Sequence, residues 1–138
     1  MTSSSLVLWR WVLAVFFVLA GANHFLNPMP YLSMVPPCLP SPAALVWISG
    51  VAEVMGGVGL LLRALRRFAG WGLIALLTAV FPANLYVALH GWRGVDLPGW
   101  VLWLRLPLQI VFIWWAYRVG VAGGRQRGEL CDNQDQNA

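Results

Sequence analysis

Residues 43–62 read AALVWISGVAEVMGGVGLLL. This run holds one charge, Glu53, and no alternation of apolar and polar positions. A helix crosses a bilayer with about 20 apolar residues. Three other stretches have the same character: Leu6–Phe25, Phe68–Leu89 and Pro98–Val119. Only helices and closed barrels satisfy their backbone in lipid. Continuous apolar runs lack the period of two that a strand requires. The sequence therefore predicts an all-α fold, a four-helix transmembrane bundle.

Composition supports this reading. The chain has 138 residues, 59% hydrophobic and only 10% charged. Its mean hydropathy is +0.69. A soluble domain carries roughly a quarter charged residues, so this chain lacks the polar groups to coat a globular surface. A soluble enzyme, a disulfide scaffold and a disordered chain are excluded. Four crossings use about 80 residues. That predicts a transmembrane domain over residues 1–120 and a polar, disordered cytoplasmic tail over 121–138.

The net charge of +4 does not point to nucleic acid. All nine basic residues are arginines, and most flank the apolar runs. Arg10, Arg63, Arg66, Arg67, Arg118, Arg125 and Arg127 fall on one side, Arg93 on the other, and Arg105 inside a run. The positive-inside rule then places both termini in the cytoplasm of a bacterial-type inner membrane. Trp9, Trp11, Trp71, Trp114 and Trp115 mark the inner interface; Trp47, Trp92, Trp100 and Tyr31 mark the outer one. Arg10, the run Trp11–Ala20 and the small residues Ala20-Gly21-Ala22 also have the form of a signal peptide. Its removal would leave three crossings and spoil the charge pattern.

Between the first two helices runs LNPMPYLSMVPPCLPSP, residues 26–42, with six of the nine prolines. It is expected to be an outer loop, either a stiff cap over the bundle or a plain interfacial connection.

Polar residues at membrane depth are costly and mark function by default. Glu53 lies roughly 15 Å into the second helix and Arg105 roughly 10 Å into the fourth. Both helices enter from the outer side, so a buried Glu53–Arg105 ion pair is expected. Asn23, His24, Asn84 and Gln109 fall near the same layer. Pro82 and Pro107 free the carbonyls of Thr78 and Trp103. Ser49, Gly50, Gly56 and Gly57 give the Glu53 face room for close helix approach. Together these features predict a pocket in the outer half, lined by His24, Glu53, Asn84, Arg105 and Gln109. Three readings stay open: a ligand or proton site, a polar lock on helix register, and an interface with a partner subunit.

Cys38 and Cys131 fall on opposite sides, and there is no C-x-x-C or C-x-x-C-H. No covalently bound cofactor is expected. His24, His90, Met29, Met34 and Cys38 are types that suit copper, but they lack ligand spacing, so no metal is expected.

Several of these residues carry a family resemblance. Gly21, His24 and Phe25 end the first helix. Pro36, Pro37 and Pro40 follow in the loop, then Gly50, Glu53, Gly57 and Leu60, then Phe81-Pro82-Ala83-Asn84. Over about residues 6–118 the chain resembles the DoxX-like family of small four-helix membrane proteins. That resemblance implies an accessory subunit linked to redox processes, a quinone-like or other lipophilic ligand, and a redox-enzyme partner. A homo-oligomer is compatible with it. In architecture alone the chain resembles sterol-isomerase-like membrane bundles. That analogy implies an intramembrane enzyme with Glu53 as catalytic acid or base. A non-catalytic assembly protein is the third alternative.

Overall fold

A computed structural model describes residues 3–123. The chain forms α1 (Ser3–Leu26), α2 (Pro28–Leu32), α3 (Pro42–Leu61), α4 (Arg66–His90) and α5 (Gly99–Ala116), which runs into a π-helical turn at Tyr117–Ala122. The described residues contain no strand. Four of the helices are long and apolar enough to cross a membrane. The sequence-predicted segments match them, with ends shifted by one to three residues. Residues 124–138, and with them most of the expected tail, lie outside the described residues.

Local chemistry sets the ends. Pro28 and Pro42 open α2 and α3 at the first helical position, where a missing N–H costs nothing. The prolines of the connecting segment therefore start helices as well as stop them, and α2 is an element the sequence reading lacked. Gly91 ends α4 with φ +80, and its N–H donates to the Val87 carbonyl. A positive φ of this kind favours glycine.

The packing order is α1 on α3, α3 on α4, and α4 on α5. The π-helical turn closes onto α1 and α4. α3 and α5 are not a packed pair and lie diagonally. Glycine permits the close crossings. A Cβ added to Gly21 of α1 would lie 2.6 Å from the Gly50 carbonyl oxygen of α3. One added to Gly57 would lie 2.7 Å from the Ala14 carbonyl oxygen. Gly70 and Gly120 bring α4 against the π-helical turn in the same way.

The core has two parts. Leu13, Ala14, Phe17, Leu60, Leu73, Ala116 and Val119 fill the end where α3 turns into α4. Met34, Val87 and Leu102, with Tyr31 and Trp92 packed against them, fill the α2 end. The outside is apolar: Leu19, Ile48 and Ile110 are each about two-thirds exposed. Such an apolar exterior suits lipid rather than water.

The segment between α1 and α3 is tied down over the α2 end. The Trp92 indole N–H donates to the Pro30 carbonyl at 2.8 Å. The Ser33 hydroxyl lies within hydrogen-bond distance of the Pro30 carbonyl (2.8 Å) and the Arg93 carbonyl (3.1 Å). Met34 is buried beneath these contacts.

Candidate functional site

The α1–α3 crossing builds the first wall of the site. With no side chain at Gly21 and Gly50, His24 and Glu53 meet across the two helices. His24 Nε2 lies 3.7 Å from Glu53 Oε2. The other ring nitrogen, Nδ1, is 3.1 Å from the Val46 carbonyl oxygen and 3.1 Å from the Ser49 hydroxyl. The Ser49 hydroxyl itself donates to Val46, at 2.9 Å. In the tautomer with its proton on Nδ1, the ring donates to the Val46 carbonyl, and Nε2 faces the carboxyl group. Tyr31 covers the imidazole, ring centroids 3.8 Å apart. Its hydroxyl accepts from the Asn23 amide at 2.8 Å, and Asn23 accepts from Asn27 at 2.8 Å.

α4 and α5 build the second wall. The Asn84 amide donates to Gln109 Oε1 at 2.9 Å. The Gln109 amide donates in turn to the Leu77 carbonyl. That carbonyl lies next to Thr78, whose helical donor Pro82 removes. One turn before Gln109, Arg105 reaches toward the α2 end. Its guanidinium sits 4.5 Å above the Trp92 ring and 3.7 Å from the Met34 sulfur.

The expected direct Glu53–Arg105 ion pair is not formed. Their helices are diagonal, Glu53 turns to His24 of α1, and Arg105 snorkels toward Met34 and Trp92. Glu53 Oε2 and Arg105 Nη1 are both buried without a hydrogen-bond partner.

Between the two walls is a cavity of about 530 Å³. His24, Glu53, Asn84, Arg105 and Gln109 all line it. That volume suits a small-molecule site. Phe16, Phe17, Leu77 and Phe112 are among its apolar lining. Leu45 and Ile48 of α3 and Ala79 of α4 line it and are also exposed on the bundle's flank. The cavity therefore reaches the lipid-facing side between α3 and α4.

Sequence reading missed several contributors. Tyr31 and Trp92 looked like interfacial aromatics, and Met34 like a loop residue. Their contacts to His24 and Arg105 join segments far apart in the chain, for which no spacing gives a signal. Arg10 looked like a topology marker. It is buried, and its Nε donates to the Val119 carbonyl of the π-helical turn at 3.2 Å. A charge four residues inside an apolar run was the available hint.

A family model described as a domain of unknown function (DUF8561) matches residues 13–120, and the chain belongs to that family. No curated protein and no solved structure matches it.

Proposed function

We propose that this member of the family is an integral membrane protein whose bundle binds a small lipophilic molecule in the α1–α3–α4–α5 cavity. One observation carries the reading: a cavity of about 530 Å³ lies between two charged side chains that do not satisfy each other. A bundle needing only internal polar bonds would close that space, because protein interiors pack densely. The ligand enters from the bilayer along the flank at Ile48 and Ala79. Its polar end meets Glu53, His24 and Arg105, with Asn84 and Gln109 behind them. The arginine distribution supports both termini in the cytoplasm, with the α2 end at the outer face of a bacterial-type inner membrane.

The DoxX-like resemblance extends this to an accessory role beside a redox enzyme, with a quinone-like ring among the candidate occupants. A second reading draws on the His24–Glu53 contact. A carboxyl group facing an imidazole nitrogen 3.7 Å away can exchange a proton with it through one water or after a shift of less than about 1 Å to hydrogen-bond distance. That suits an isomerase-like acid–base step on a bound lipid.

The test is extraction of the protein in a mild detergent, followed by mass spectrometry of the lipids that stay with it. Ala20 and Ala83 line the cavity, and Ala20→Phe with Ala83→Phe fills it. The wild-type protein is expected to retain a discrete small lipid that the filled variant loses. A wild-type protein carrying only bulk lipid, indistinguishable from the filled variant, overturns the reading.

A further inference from the structure

The charge inventory of the cavity narrows the class of ligand. Arg105 is permanently protonated. Its neighbours are neutral: the π face of Trp92 and the sulfur of Met34. Its Nη1 has no partner. Among the described residues the helices hold one carboxylate, Glu53, and it faces His24. His24 and Glu53 together can share one proton and carry no net charge. The cavity wall then retains the uncompensated charge of Arg105, at membrane depth where a lone cation is costly.

Resting on the binding reading above, we infer that the ligand supplies the missing anion: it is an amphiphile with an anionic oxygen headgroup, a carboxylate or a phosphate monoester. The headgroup sits against Arg105. Planar carboxylate and phosphate oxygens match the guanidinium fork and accept two parallel N–H bonds. Bringing them in uncovers the buried Nη1 and displaces the contact to the Met34 sulfur, which at 3.7 Å is a weak acceptor. Asn84 and Gln109 each commit one amide N–H, to Gln109 Oε1 and to the Leu77 carbonyl, and carry no charge, so Arg105 remains the group that balances the anion. The hydrocarbon chain leaves past Ile48 and Ala79, where the cavity meets lipid.

The experiment uses the full chain in nanodiscs of zwitterionic lipid. Binding of dodecanoate, dodecyl phosphate, dodecanol and a short-chain quinone is followed by tryptophan fluorescence, with Trp92 beside Arg105 as reporter. The anions are expected to bind about tenfold or more tightly than dodecanol, as an ionic hydrogen bond implies. Arg105→Gln should abolish that preference, and Arg105→Lys should keep part of it. Dodecanoate and dodecyl phosphate differ in headgroup size, and their order shows which source fits. If Arg105→Gln fails to fold, the headgroup preference of the wild-type protein and of Arg105→Lys still decides. Dodecanol or the quinone binding as tightly as the anions overturns the anionic head and leaves the binding reading intact. Binding of none of the four overturns both.

Discussion

Replacing Gly21 with alanine tests the contact that assembles the site. The new methyl carbon would lie 2.6 Å from the Gly50 carbonyl oxygen, 2.8 Å from Val54 Cγ2 and 2.9 Å from Glu53 Cβ. Carbon contacts are comfortable at about 3.5–4.0 Å, so α1 must move off α3 by on the order of 1 Å. Overpacking of this kind costs about 1–3 kcal/mol. Alanine also favours a helix over glycine by about 0.5–1 kcal/mol, which offsets part of that cost. Gly72→Ala separates the two effects, because no atom lies within 4 Å of its added Cβ. It gains the helix preference alone. The difference between the two variants therefore isolates the steric cost, about 1–3 kcal/mol. Equilibrium unfolding in mixed micelles with sodium dodecyl sulfate, followed by helical circular dichroism, measures both. Because an added Cβ at Gly21 would press on Glu53 Cβ, the proposed lipid binding should also weaken in Gly21→Ala and stay unchanged in Gly72→Ala. Equal stability of the two variants, within about 0.3 kcal/mol, would refute the close crossing.

Three other perturbations follow from the same geometry. His24→Ala and Glu53→Gln should couple by about 0.5–3 kcal/mol in a double-mutant unfolding cycle; strict additivity contradicts their contact. Trp92→Phe keeps a ring under Arg105 but loses the N–H bond to Pro30, about 1 kcal/mol. Trp92→Ala should lose the cation–π contact, about 0.5–2 kcal/mol, on top of the ring's packing against the Met34, Val87 and Leu102 cluster, and equal unfolding curves for the two would remove the cation–π contact from the account. Asn84→Leu takes the donor from Gln109 Oε1 and should cost about 0.6 kcal/mol, typical of a hydrogen bond inside a membrane bundle. A loss several times larger would mean that Asn84 holds more than this bond.

The four long helices were legible because each is a continuous apolar run, a signal independent of tertiary contacts. The five cavity residues were legible for a related reason. A polar side chain inside such a run has few places to go, and equal depth brings residues from different helices to one layer. Depth says nothing about azimuth, however. Glu53 and Arg105 share a layer but sit on diagonal helices, so the expected pair gave way to His24–Glu53 and Arg105–Trp92. Close helix approach could be read from Gly50 and Gly57, but not which helix they meet. The roles of Tyr31, Met34 and Trp92 depend on how residues 27–41 fold over the bundle. Proline marks such a segment as irregular without saying where it goes, and its first-position preference produced α2 instead.

The polar layer divides by satisfaction, and the division bears on what it is for. Asn84, Gln109 and the Leu77 carbonyl bond one another, as do His24, Ser49 and the Val46 carbonyl. These sets can fix helix register with no ligand present. Glu53 Oε2 and Arg105 Nη1 are different, because both are buried and neither has a hydrogen bond; Glu53 Oε2 has only the 3.7 Å contact to His24 Nε2. An unmet buried polar group costs about 1–3 kcal/mol, more when charged. A bundle needing only register could replace both with apolar residues and become more stable. The two costly groups flank the same cavity, and the satisfied groups stand behind them. Register therefore accounts for Asn84 and Gln109, while Glu53 and Arg105 are the groups that the proposed occupant of the cavity would serve.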